Sequence, residues 1–252
     1  MIVHRCLQTS DWVLINRNPT LHRGSILGMK VKVLPGKTLR ANLAACPTLN
    51  MDFDGDAINM IVPQSEEAIV EVKELANLDK IIIGQQTGKT QVGGVQDSVL
   101  TAWIMTHPDR QKPIERDDFN DMVMWIENPD WERVNELLKQ PEILPRQLWS
   151  LILPNRFHFN DGKVKINNGL VLTESDAVGK KQIGKSGTII QAIHHDFGNE
   201  VAMTFINNTQ FLVGYLLRRG VSVSLSDCVI GNSEAVIQEI KEIVHKGLSE
   251  AS

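Results

Sequence analysis

Three carboxylates at every second position are the first feature here that could do chemistry. Asp52, Asp54 and Asp56 stand in CPTLNMDFDGDAINMIVP, between apolar flanks. In a regular strand their side chains share one face, about 6.6 Å apart. A turn at Gly55 instead gathers them around one hard divalent cation, because glycine takes backbone conformations closed to other residues. Mg2+ suits such a site, since it takes oxygen ligands in a tight octahedron and keeps waters free for substrate phosphates. An EF-hand calcium loop is excluded: counted from Asp52, Ala57 holds the sixth place that needs glycine, and Pro63 the twelfth that needs glutamate. A solvated acidic turn is the competing reading, disfavoured by the repulsion of three like charges among apolar neighbours.

Basic residues just upstream extend the idea. Arg17, His22 and Arg23 can neutralise phosphate if the chain folds them beside the aspartates, Arg17 through its planar donor fork. Each alone is an ordinary surface or structural residue; together with the aspartates they point to phosphoryl or nucleotidyl transfer. Two other patterns carry less. IIIGQQTGKTQVGG holds a GKT triplet, but Ile83 stands where a phosphate-binding loop needs its first glycine. Cys6, Cys46 and Cys228 are far apart and form no CxxC pair, so they read as buried, inert thiols rather than a zinc site or disulfide framework.

The elements that must position these groups follow from periodicity. Trp12 to Ile15, Ile26 to Leu34, Leu39 to Ala45 and Ile58 to Val62 read as short strands punctuated by Pro19, Gly24, Pro35-Gly36 and Pro47. Ser65 caps a helix carrying Ala68, Ile69, Val72, Leu75 and Ala76 on one face. Further helices are predicted near Asp97 to Met105, over Phe119 to Trp125 and over Trp131 to Leu138, with Asn128-Pro129-Asp130 between the last two. Their aromatic faces read as core. Leu148 to Leu153, Lys163 to Ile166, Leu170 to Thr173, Thr188 to Ala192 and Glu200 to Phe205 read as strands, and Glu234 to His245 as a helix whose Ile237, Ile240, Ile243 and Val244 face calls for burial, within this chain or against another.

Composition bounds the rest. At 252 residues, 42% apolar and 22% charged, the chain is long enough for a real core and too mixed for a disordered or fibrous protein. No apolar run spans a bilayer, and MIVHRCLQTSDW is not a secretory signal. The net charge of −4 hides a polarised start: residues 1–50 carry seven basic side chains against one acid, residues 51–80 eight acids against two lysines. That sign change fits a phosphate-bearing substrate beside a bound cation.

Two linked segments resemble one family. NRNPTLHRGSILGMKVKV (Asn16 to Val33) and NMDFDGDAINMIVPQSEEA are similar, in order and spacing, to the active-centre motifs of the largest subunit of multisubunit DNA-directed RNA polymerases, closest to the eukaryotic and large-DNA-virus branch. GVQDSVL (Gly94 to Leu100), PRQLWSLILP (Pro145 to Pro154) and GVSVSLSD (Gly220 to Asp227) extend the resemblance over nearly the whole chain. It implies a mixed α/β (α+β) fold: a double-psi β-barrel portion over residues 1–80, a mainly helical pore-associated region over 81–145, and a mixed β/α pore and start-of-funnel region over 146–252.

The same resemblance makes Asp52, Asp54 and Asp56 the catalytic ligands of a tightly held Mg2+, with a second Mg2+ arriving with the nucleoside triphosphate. It places Arg17 near the incoming sugar and Asn50 where its 2′-hydroxyl is sensed. Met51 stands where the family usually has alanine, which bears on loop packing rather than on the metal. The implied activity is transfer of ribonucleotides to the RNA 3′ end inside a complex with DNA template, RNA, the second-largest subunit, other portions of the largest subunit and smaller subunits. No membrane is involved, and the location is nucleus or cytoplasm, or the virion for a viral source. The family's clamp, bridge helix and trigger loop fall outside these residues, so the chain reads as a segment of a split subunit or a fragment. Two other readings stay open, a non-catalytic assembly module and a self-contained Mg2+-dependent nucleotide hydrolase.

Overall fold

The structure, a computed structural model, describes residues 7–221, 224–229 and 233–250. The chain divides into two compact units, Met1–Leu216 and Leu217–Ser252. Cys6, and Ser222 and Val223 of the GVSVSLSD motif, lie outside the described residues.

The first unit begins with a three-stranded antiparallel sheet, ordered β2-β1-β3. β1 (Trp12–Asn16) and β2 (Ile26–Lys30) pair from Trp12↔Lys30 to Asn16↔Ile26, and β3 (Asn59–Ile61) joins the other edge of β1 from Leu14↔Ile61 to Asn16↔Asn59. The period of two puts Val13 and Ile15 on one face. There they meet Leu27, Leu49 and Ile81 in a small buried cluster. Three strands make an open sheet, and its most distant pairing, β1 with β3, carries the chain from the basic segment to the aspartate segment.

Between those strands, Leu39 to Ala45 is not the strand that its alternation predicts. Asn42 caps a 3-10 turn at Leu43–Ala45 by accepting a 2.9 Å hydrogen bond from the Ala44 N–H, and α1 (Cys46–Leu49) follows with Pro47 in its first turn. Local side-chain capping here outcompetes a ladder. After β3, Ser65 accepts from the Ala68 N–H at 3.2 Å and starts α2 (Glu66–Glu71), which widens into a π turn at Val72–Ala76. Gly28 of β2 lies directly under that turn: a Cβ there would meet the Val72 carbonyl oxygen at 2.6 Å.

The larger core holds α3 (Asp97–Thr106), α4 (Arg116–Val123), α5 (Trp131–Leu138) and α6 (Pro145–Ser150) around Met105, Phe119, Leu148 and Trp149. The predicted helices form, but their aromatic residues divide: Phe119 is fully buried, whereas Trp125 and Trp131 are exposed. Leu148 to Leu153, read as a strand, begins inside α6, because Pro145 pre-sets the helical φ at its start and adjacent Leu148 and Trp149 are both buried. A small antiparallel sheet follows, β4 (Phe159–Asn160), β5 (Lys165–Asn167) and β6 (Leu170–Val171).

Next come α7 (Lys180–Ile183), α8 (Thr188–Phe211) and α9 (Val213–Arg219). The strands expected at Thr188 to Ala192 and Glu200 to Phe205 are both parts of α8. Ile189, Ile190 and Ile193, then Ala202, Phe205 and Ile206, are its buried stripe, a spacing of helical and not alternating type. Gly198 interrupts the helix at φ 86°, ψ −177°, a conformation that glycine adopts readily.

In the second unit, α10 (Ser233–Glu250) forms over the predicted segment, and Ile237, Ile240, Ile243 and Val244 are not covered by the described residues of this chain. The expectation of buried thiols holds for Cys46 and fails for Cys228, which is exposed. No helix among the described residues is long and apolar enough to cross a membrane.

Candidate functional site

Asn50 ends α1 in the left-handed conformation, φ 50° and ψ 46°, which asparagine tolerates better than most residues. The Asn50 and Met51 N–H groups both donate to the Cys46 carbonyl, Met51 at 3.0 Å. This closes the helix and turns the chain out into the loop that carries the aspartates. Gly55, at φ 118°, lets the loop reverse toward β3.

Within the loop, Asp52 Oδ1 accepts from the Phe53 N–H at 2.8 Å, and the Asp52 N–H donates to Asp56 Oδ2 at 2.9 Å. Asp52, Asp54 and Phe53 are exposed; Asp56 is the half-buried member. β1 ends at Asn16, opposite Asn59, so the next residue, Arg17, is delivered to Asp56 across 39 positions of sequence. Its Nε donates to Asp56 Oδ2 at 2.6 Å and its Nη2 to Oδ1 at 3.2 Å, a two-toothed grip. The guanidinium, helped by the Asp52 N–H, holds the Asp56 carboxyl below the usual carboxylate range. Asp56 in turn raises Arg17, with a smaller contribution from the charge of Asp54. Burial pushes the Cys46 thiol up, and the nearby Asp52 carboxylate adds to it.

The structure therefore brings Arg17 to the aspartate loop as the residue types suggested, and it holds Arg17 on Asp56 itself. His22 and Arg23 go elsewhere. Arg23 Nη2 donates to the Leu75 carbonyl at 2.8 Å, and both residues line a separate cavity with Lys80. Asn50 and Asp52 line a shallow recess of about 270 Å3 with Met51, Phe53 and Gln96. Gln96, at φ 48° and ψ −120° ahead of α3, was singled out by no side-chain chemistry; only its place in GVQDSVL marked it.

The loop's donors fit Mg2+ in kind, being hard carboxylate oxygens on an exposed turn. Their arrangement in this chain is different. Among the described residues no group of three His, Cys, Asp or Glu side chains is gathered for a metal, and Asp56 is engaged by Arg17.

Comparison with known proteins gives the family. Residues 1–78 match the family described as RNA polymerase Rpb1, domain 2, and residues 81–228 match RNA polymerase Rpb1, domain 3. A probable DNA-directed RNA polymerase II subunit RPB1 homolog of Invertebrate iridescent virus 6 is 32% identical over 96% of this chain and 26% of its own length. A putative DNA-directed RNA polymerase of Frog virus 3 is 33% identical over 100% of the chain and 19% of its own length. The Rpo1N subunit of Methanococcus vannielii is 33% identical over 99% of the chain and 30% of its own length. The chain thus spans less than a third of the length of these relatives. With both domain matches in chain order and the second alone covering more than half of the residues, the chain belongs to the Rpb1 family, the largest subunits of DNA-directed RNA polymerases.

Proposed function

We propose that this chain is the active-centre segment of a polymerase largest subunit and performs Mg2+-dependent nucleotidyl transfer from ribonucleoside triphosphates to the RNA 3′ end, within a multisubunit complex. Its sheet is then the chain's share of a double-psi barrel, completed around DNA template and RNA by the second-largest subunit, with residues 81–145 and 146–252 in the pore and the start of the funnel. One observation carries the reading most directly: β1–β3 pairing sets the basic arm against the aspartate loop, so that Arg17 and Asp56 meet.

Asp52, Asp54 and Asp56 are the residues that would hold the ion. When bound, Mg2+ supplies Lewis-acid activation of the RNA 3′-hydroxyl and of the nucleotide α-phosphate. The chain's own side chains do the positioning. Arg17, once off Asp56, has five donors for the sugar and phosphate oxygens of the incoming nucleotide. The Asn50 carboxamide both donates and accepts, so it can pair with a ribose 2′-hydroxyl and is left short of a partner by deoxyribose.

Replacing Asp52, Asp54 and Asp56 together by alanine in the reconstituted polymerase tests this. RNA extension is lost while the subunits still assemble, and Mn2+ binding followed by electron paramagnetic resonance falls in parallel. Extension at an unchanged rate under saturating Mg2+ overturns the assignment and leaves an assembly module.

A further inference from the structure

A second polar cavity lies in the first unit, away from the aspartate loop, with a volume of about 450 Å3. Four cations from three stretches of the chain line it, Arg23, Lys80 with Lys89, and Lys185, and no carboxylate does. Their anchors mostly leave the charge uncancelled. Arg23 donates to the Leu75 carbonyl and Lys185 Nζ to the Pro47 carbonyl at 3.2 Å, both neutral acceptors. Of the four, Lys80 alone has an acid within 4 Å among the described residues, Glu74 at 3.9 Å, which also lies 3.9 Å from Lys73.

The wall is the GQQTGKT segment, whose spacing fails as a phosphate-binding loop. It folds as a tight hairpin: the Gly84 N–H donates to the Lys89 carbonyl and the Gly88 N–H to the Gly84 carbonyl, both at 2.8 Å, and Ile83 bridges Thr90. Lys89 is thereby turned to the cavity. Behind it the Gln91 carboxamide is wedged between Gly24 and Gly84, where a Cβ on either glycine would collide with it. Thr90 is 1% exposed, and its backbone carbonyl accepts from the Ser186 N–H at 3.0 Å, but its Oγ1 has no partner. A buried hydroxyl without a partner calls for an explanation. An oxyanion supplies one, taking the hydroxyl proton as a hydrogen bond and neutralising the lysines around it.

We infer that this cavity is a binding site for a phosphate group, built from Lys89, Lys185 and Thr90 with Arg23 and Lys80 at its rim. The phosphate comes either from a nucleic-acid strand or from a free polyphosphate, and the chemistry is shared. The site is separate from the aspartate loop, so it stands whether or not the proposed catalytic role does.

Binding of two probes to the full chain decides it: a twelve-nucleotide oligouridylate and inorganic pyrophosphate, each titrated at several salt concentrations. With Lys89→Gln and Lys185→Gln combined, affinity falls about tenfold, and for the oligonucleotide the slope of log K against log salt shrinks by about 1.4, two phosphate contacts at ~0.7 each. Thr90→Val weakens binding without lowering thermal stability, since it removes a hydroxyl that bonds nothing in the free chain. A loss confined to the oligonucleotide assigns the strand, and a loss with pyrophosphate assigns free polyphosphate. Lys37→Gln with Lys139→Gln makes the same charge change outside the cavity and leaves both affinities unchanged. Neither probe binding, equal binding by the Lys89/Lys185 variant, or an equal loss in the Lys37/Lys139 variant overturns the inference.

Discussion

Gly28→Ala probes the packing that holds the Arg17 arm in place. β2 and the π turn at Val72–Ala76 approach so closely that an alanine Cβ at position 28 sits 2.6 Å from the Val72 carbonyl oxygen, 2.9 Å from Val72 Cγ1 and 3.1 Å from the Ala76 carbonyl carbon. Ordinary contact needs about 3.4 Å or more, so backbone must shift by about 0.8 Å in a close-packed interior. Insertions of this kind cost about 1–3 kcal/mol. Alanine also narrows the unfolded ensemble, which offsets about 0.4–1 kcal/mol. The net loss is about 1–2 kcal/mol, or about 0.5–1 M in urea midpoint for a slope near 2 kcal/mol/M.

Two comparisons isolate the cause. Val72→Ala removes the Cγ1 contact and leaves the carbonyl, so most of the Gly28→Ala loss persists in that background. Gly247→Ala in α10, where a Cβ meets nothing within 4 Å, gains about 0.5–1 kcal/mol of helix stability instead. An unchanged or higher midpoint for Gly28→Ala refutes the argument that only glycine fits between β2 and the turn.

Two further outcomes follow from the hydrogen bonds. Asp130 caps α5, its Oδ1 accepting from the Glu132 and Arg133 N–H groups at 3.0 and 3.2 Å and its Oδ2 from Asn155 Nδ2 at 2.6 Å; Asp130→Ala costs about 1–2 kcal/mol in denaturant unfolding. The Asn155 hydrogen bond is the chief cause that holds the Asp130 carboxyl below its usual range. Its contribution is therefore complete above the ordinary carboxylate pKa and is lost as pH falls through the lower folded value, so the wild type and Asp130→Ala converge in acid. For Asp56, whose pKa is depressed first by Arg17, Arg17→Ala moves the carboxyl back up in an NMR titration. An unmoved Asp56 titration contradicts the ion pair.

The residues alone identify the elements whose reasons are local. Trp131 to Leu138 is a helix because its apolar positions recur with helical spacing behind an aspartate cap, and Asp130 fills that role in the structure. Ser65 and β1 follow in the same way from capping and alternation, and the DxDxD pattern marks the loop that the fold presents to solvent. Local signals mislead where neighbours decide. The β-branched start of α8 favours a strand, but burial of one helical face on the larger core outweighs that preference. Cys228 and the α10 stripe are exposed although their types favour burial.

What only the tertiary structure decides is which distant groups meet. Arg17 and Asp56 are joined by the register of β1 with β3, and Lys80, Lys89 and Lys185 by the packing of a hairpin against the start of α8. Spacing along a chain fixes which face a side chain takes within one element. It carries no information on which face of another element it opposes, since that is set by the summed burial of both cores.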